Sequence, residues 1–315
     1  QQAFGECTKL TSITIPKSLE RSSDGIYGGA FDHSGLATVK FEDGVKMIPN
    51  YLFADATTLE TIVIPDSVTS IGVYSFANCS ALKNITIPYS VTEIGAQAFY
   101  KCTSLKTIAI PDSIKTLDDG TFFGCNSLSN IKFPSLITEI GSGMCDGCTS
   151  LVTVEMGDKV TSIGDNAFQN CTSLKNITLS PETEYINSNA FSNCDSLESI
   201  VIPDKVTVIY HNAFSDCDKL LSVTLSKALK QIGESAFNNC DSLTAIKIPD
   251  SVETIGERAF YGCEKLADEN MGNGVSKLYS EAFRLCPALT KIVLSNNLTS
   301  IPEYAFADCT TLTDV

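Results

Sequence analysis

The chain has no tryptophan, two histidines, and no apolar run that approaches the roughly 18 residues of a membrane-spanning helix. No charged-then-apolar leader opens it. Bases are scarce: 22 Lys and Arg stand against 37 Asp and Glu, for a net charge of −15. A phosphate-binding surface needs a stripe of Lys and Arg, so the balance argues against nucleic acid and disfavours anionic membrane surfaces as partners. G-x-S-x-G, H-E-x-x-H and glycine-rich phosphate loops are missing, which leaves no catalytic or cofactor motif to build an enzyme on. With 43% hydrophobic and 19% charged residues the chain can nonetheless pack a core, and a disordered chain is excluded.

What is present is one pattern repeated from end to end. Leu82 to Ser104 reads Leu-x-x-Ile-x-Ile-Pro-x-x-Val-x-x-Ile-Gly-x-x-Ala-Phe-x-x-Cys-x-x, and it recurs with a 23-residue step. Position 1 is Leu at Leu10 and Leu36, then without drift from Leu59 to Leu312. A period of this length signals a solenoid, whose core grows along one axis, so residues 1–315 are expected to form a single repeat domain. Gln1 and Val315 both fall inside repeats, which leads us to expect an excerpt of a longer chain, with any signal and anchor segments outside it.

Within a unit, the alternating apolar residues at positions 4 and 6, such as Ile62 and Ile64, predict a half-buried strand ended by Pro at 7. Successive copies must then stack as parallel strands. A second apolar pair at 10 and 13, such as Val91 and Ile94, returns to the interior, and the Gly that follows is expected to allow a sharp turn. Ala at 17, Phe at 18 and Cys at 21 suit one helical or 3₁₀ turn that points Phe and Cys inward. A lone unit cannot offset the entropy of ordering its own backbone, so neighbours must supply the rest.

Departures from the pattern are few. About four extra residues fall in Glu20 to Gly25, where a loop should bulge. Cys145 replaces the Phe of its unit. In Leu266 to Val275, Glu269 takes interior position 4; an unpaired buried carboxylate is costly, so either this strand is distorted or Glu269 turns outward.

These units resemble the BspA-like, or Treponema-type, leucine-rich repeats over essentially the whole chain, at about ten positions per unit. The resemblance implies a leucine-rich-repeat solenoid: a curved right-handed array with a parallel β-sheet on the concave side and short strands and 3₁₀ turns on the convex side. It also implies a secreted or surface-displayed protein, of a kind whose members include adhesins for extracellular host proteins or other cells.

The thirteen cysteines suggest a disulfide framework, but stacking geometry speaks against it. Stacked repeats translate a side chain by about 4.7–4.9 Å without changing its direction, whereas a disulfide needs converging Cβ atoms about 3.5–4.5 Å apart. Buried thiols acting as small hydrophobes are expected, with Cys145 and Cys148 the one place where a local bridge is conceivable. Zinc would need a second ligand pair, and His33 and His211 lie in repeats too distant to share a site, so no metal is assigned. Asp66, Asp112, Asp158, Asp204 and Asp250 recur at position 8, where a solvated turn is favoured over calcium. Sequons at Asn84 and Asn176 would put glycans beside the strand of positions 3–5, which favours a bacterial source over a protist one.

The resulting expectation is a non-enzymatic recognition protein, without cofactor, at the cell surface or secreted. Its repeat face, mainly positions 3 and 5 (Thr86, Lys132, Glu155), would bind an extracellular protein, a glycan or another cell. The least regular unit supplies the candidate binding residues Lys247, Asp268, Glu269, Asn270 and Lys291. The rival reading is a rigid spacer that presents another domain.

Overall fold

The computed structural model describes residues 2–19 and 29–315; the insertion expected at Glu20 to Gly25 lies outside the described residues. The chain divides into two compact units, Gln1–Gly157 and Asp158–Val315, each built from the same 23-residue coils. Most coils contribute a short strand at about positions 3–5 to a first sheet, a shorter one at positions 12–13 to a second sheet, and a run of turns at positions 15–21.

In the first unit the first sheet pairs Ser12–Ile15 with Thr38–Phe41, Thr61–Val63 with Asn84–Thr86, and Asn130–Lys132 with Thr153–Glu155, all parallel. Its second sheet joins Met47–Ile48, Ser70–Ile71, Glu93–Ile94 and Thr116–Leu117. In the second unit Asn176–Ile177, Ser199–Val201, Ser222–Thr224 and Ala245–Ile246 follow one another in the first sheet, and six strands from Ser162–Ile163 to Lys277–Leu278 form the second. Residues pair with their own counterparts one repeat on, as Thr61 with Asn84 and Ile62 with Ile85, so each apolar position lies beside its copy. The fold is the parallel solenoid that the periodicity implies.

The core follows the template. Position-1 leucines from Leu36 to Leu289 are fully buried, as are the phenylalanines from Phe53 to Phe283. Those rings stack on one another: Phe53–Phe76 and Phe76–Phe99 have centroids 5.4 Å apart in the first unit, and Phe191–Phe214 and Phe214–Phe237 are at 5.3 and 5.4 Å in the second. Near-parallel rings at this spacing are offset stacks, which add to the burial of each ring.

Two local expectations need amendment. The turn at positions 17–21 does carry i→i−3 hydrogen bonds, as in Ala77 N–H to Tyr74 C=O and Cys79 N–H to Phe76 C=O. It does not propagate as a helix, because positions 16 and 20 are left-handed in nearly every coil, for example Tyr74 (φ 53°) and Asn78 (φ 57°). That twist turns alternate N–H groups toward the next coil: Tyr74, Phe76 and Asn78 donate to the carbonyls of Ala96, Ala98 and Tyr100. The turn is therefore a third ladder between repeats.

The glycine at position 14 also has a different reason from the sharp turn expected of it. Gly72, Gly95, Gly233 and Gly256 are not in the left-handed region. A Cβ on Gly72 would lie 2.6 Å from the Asn50 nitrogen, and one on Gly233 would lie 2.6 Å from the Ile209 oxygen. Glycine is needed there for close approach of successive backbones.

No disulfide links any of the thirteen cysteines, Cys145 and Cys148 included. Twelve are buried, and the ladder thiols donate instead to the carbonyl of a preceding coil's phenylalanine, as Cys79 to Phe53 at 3.1 Å and Cys217 to Phe191 at 3.2 Å. Burial pushes up the pKa of thiols such as Cys79 and Cys263, the latter to about 12. The position-8 aspartates have a structural role too: Asp112 accepts the N–H of Ser135 at 2.9 Å and Asp250 that of Asn273 at 2.8 Å, one repeat on. That N–H bond is the main reason Asp112 is held below the usual carboxylate range.

Thiol counting after denaturation without reductant is expected to recover nearly all thirteen thiols; recovery of one or two would contradict the stacked-thiol arrangement. Phe191→Ala is expected to destabilise by roughly 3–5 kcal/mol, through the cavity it opens. Cys194→Ala, at the neighbouring interior position, should cost far less, and equal shifts of the denaturation midpoint would refute the packing.

Candidate recognition site

The first sheet presents a bland outer face. Thr61, Asn84, Thr86, Ser199 and Ser222 are exposed on it, and Val63 and Val201 are 79% and 64% exposed. Its charges mostly pair along the ladder, as Lys83 with Glu60 at 2.7 Å and Lys132 with Glu155 at 3.7 Å. Asn84 and Asn176, the two sequon asparagines beside the strands, are also exposed.

The ladder is interrupted once within the second unit. Among the described residues, the Ala245–Ile246 strand ends the run that begins with Asn176–Ile177, and Glu269–Asn270 pairs instead with Ile292–Val293. Glu269 causes the interruption. Of the two outcomes expected for it, the strand is distorted and the side chain stays inside: Glu269 is 4% exposed, at the register position opposite Ile292. Its Oε1 accepts the N–H of Ile246 at 2.9 Å, so a carboxylate takes the place that a backbone carbonyl holds in regular coils. Where the ladder is intact a position-4 N–H reaches a position-3 carbonyl of the next coil, as Glu269 N–H does to Lys291 at 3.0 Å.

Immediately afterwards the chain closes back on the preceding coil. Gly272 is left-handed (φ +69°), and a Cβ on Gly274 would lie 2.0 Å from the Asp250 oxygen, so this pair of glycines restores close stacking where Pro stands in regular units. The gap is thus confined to the strand. Beside it lies an open groove of about 490 Å³ with Lys247, Pro249, Asp250, Asp268 and Asn270 in its lining; Ile246 and Ile248 beneath are almost fully buried.

Four of the five candidate residues, Lys247, Asp268, Glu269 and Asn270, line this one groove. Lys291 does not; its ammonium lies 2.7 Å from Asp314 in the following coil. Asp268 accepts a hydrogen bond from the Thr290 hydroxyl, and Asn270 accepts the N–H of Gly272 at 2.9 Å, so both walls are held in place. Sequence reasoning passed over Ile248 and Asp250, which look regular in their own unit; the Gly272 and Gly274 pair was the available signal that the neighbouring coil had changed.

Among the described residues no three of His, Cys, Asp and Glu converge as a metal site would require, and no helix is long and apolar enough to cross a membrane. The BspA-type leucine-rich-repeat region matches the chain in overlapping stretches, residues 1–106, 46–175, 92–221, 145–267 and 230–315. The chain belongs to the BspA-type leucine-rich-repeat family. A leucine-rich-repeat protein from Bacteroides ovatus is similar to it at 32% identity and TM-score 0.77, over 98% of this chain and 85% of that one. A leucine-rich cell surface protein from Faecalibacterium prausnitzii is similar at 29% identity and TM-score 0.58, over 96% of this chain and 86% of that one. No curated protein matches the chain. The coil of Glu269 stands apart by its buried acid rather than by its groove, since the regular strands Asn176–Ile177 and Ser199–Val201 flank one of about 550 Å³.

Burial raises the pKa of Glu269 to about 7, partly offset by the N–H groups of Ile246 and Asn270. A carboxyl group raised on folding favours the folded state fully below its unfolded value of 4.5, and that contribution is lost as pH rises through about 7. The amount at stake is on the order of 3 kcal/mol. Glu269→Gln keeps an acceptor for Ile246 and cannot ionise, so it is expected to stabilise the fold at pH 8 to 9 and to change little near pH 4 to 5. Denaturant unfolding of both proteins across that range checks this; a stability difference independent of pH would refute it.

Proposed function

We propose that this BspA-type protein is a non-enzymatic recognition protein, displayed at the cell surface or secreted, that binds an extracellular host protein, a glycan or another cell through its repeat face. The observation that carries the reading is the interrupted first sheet. Identical coils serve stacking, whereas the coil of Asp268, Glu269 and Asn270 gives its groove a distinctive charge; the groove of about 550 Å³ beside the regular strands Asn176–Ile177 and Ser199–Val201 has no charged residue in its lining. Family membership supports a protein-binding role, and the surface placement named for the Faecalibacterium relative supports display outside the cell. An open, shallow face suits a macromolecule better than a free small molecule, which needs an enclosed pocket.

Replacing Lys247, Asn270 and Lys291 together by Ala is expected to reduce binding to host-cell surfaces or matrix proteins at least tenfold, while a Lys40/Thr86 double-Ala control binds like the parent. Unchanged binding by the triple variant, or loss in the control alone, would move the site elsewhere on the face. A parent that binds nothing would favour the spacer reading.

A further inference from the structure

Glu269 has no counter-ion. Among the described residues it takes part in no ion pair, and its hydrogen bonds come from the backbone N–H groups of Ile246 and Asn270. A carboxylate offers about four lone-pair positions, so two such donors leave acceptor capacity unused. The side chain is 4% exposed and lies in the lining of the groove, so what exposure it keeps faces that space.

The charges around it do not supply a partner. Asp268, next to it in the chain, adds repulsion, and Asp250 in the preceding coil adds a further acid to the groove lining. The Cys263 thiol, earlier in the chain, is itself raised in part by Glu269. Lys291 in the following coil is held by Asp314. Lys247 is the one base in the lining; it is exposed directly after the Ala245–Ile246 strand, and no ion pair joins it to Glu269. The groove therefore carries three carboxylates against one ammonium. It is open, so it admits a side chain of a macromolecular partner, and its charge suits a cation.

We infer that the groove between the Ala245–Ile246 and Glu269–Asn270 strands is a pocket for a lysine side chain of the partner, with its ammonium on the Glu269 carboxylate. This rests on the proposed recognition function and names the chemistry of that site. A buried acid that destabilises the fold gains a purpose, because a bound cation supplies the charge it lacks. Binding and ionisation are linked: the ammonium prefers the ionised carboxylate, so affinity rises with pH through the titration of Glu269.

The probe is Nα-acetyl-lysine N-methylamide, with Nα-acetyl-norleucine N-methylamide as the uncharged isostere, titrated into the whole protein and followed by carboxyl carbon NMR. The lysine probe is expected to bind at least tenfold more tightly at pH 8 than at pH 5.5 and to shift the Glu269 titration at least one unit downward; the norleucine probe should do neither. Glu269→Gln should abolish the pH dependence and bring the two probes level. Equal affinities for both probes, a lysine affinity unaffected by pH, or a Glu269 titration that saturating lysine probe does not move would each overturn the inference. The surface-binding test separates this from the function itself: loss of binding in the triple variant, with no response of Glu269 to the lysine probe, would leave a recognition groove without a cation pocket.

Discussion

Stacking with a fixed 23-residue register is the constraint on which everything else in this molecule depends. Because each residue lies beside its own copy, one solution to burial and hydrogen bonding is reused coil after coil. Backbone N–H groups of the first strand and of the turn reach the next repeat, those of the second strand reach the preceding one, the phenylalanines stack as offset rings, and position-8 aspartates such as Asp112 and Asp250 cap an N–H of the next repeat. No coil holds these interactions alone, which is why stability in such arrays resides in the contacts between neighbours.

The same constraint explains how much could be read before any coordinates. The leucines, the strand pairs and the buried Phe and Cys positions were legible because periodicity states them outright, and thiol pairing could be rejected because translation keeps neighbouring side chains parallel. The conformation of the turn was not read, although position 20 carried a signal. Asp55, Asn78, Asn170, Asn193, Asp216, Asn239 and Gly262 recur there, and these are the residue types that tolerate a left-handed backbone. The glycine at position 14 was misread because its reason is a neighbour's backbone, and a single unit's sequence does not display its neighbour. For Glu269 the sequence defined two outcomes without deciding between them. The decision depended on whether an N–H in the preceding coil could be taken over by a carboxylate, which is a matter of three-dimensional reach.

At that one place the demands of stacking and of a polar side chain collide. The carboxylate takes the Ile246 N–H, the strand ladder opens, and two glycines close the coil again a few residues later. A defect of this kind is tolerated because the coils on either side keep their own contacts. It also gives this part of the face a charge that regular coils lack, and recognition needs distinctiveness more than it needs area.

The central claim is that regular coils provide rigidity while the interrupted strand provides contact. Residue-resolved amide hydrogen exchange tests it most directly, because exchange reports local opening within a cooperative fold. The account predicts faster exchange for Lys247 to Asp250 than for the equivalent Val201 to Asp204, and protection of that same stretch first when a surface partner is added. Uniform exchange along the repeats, or first protection at a regular coil, would contradict it.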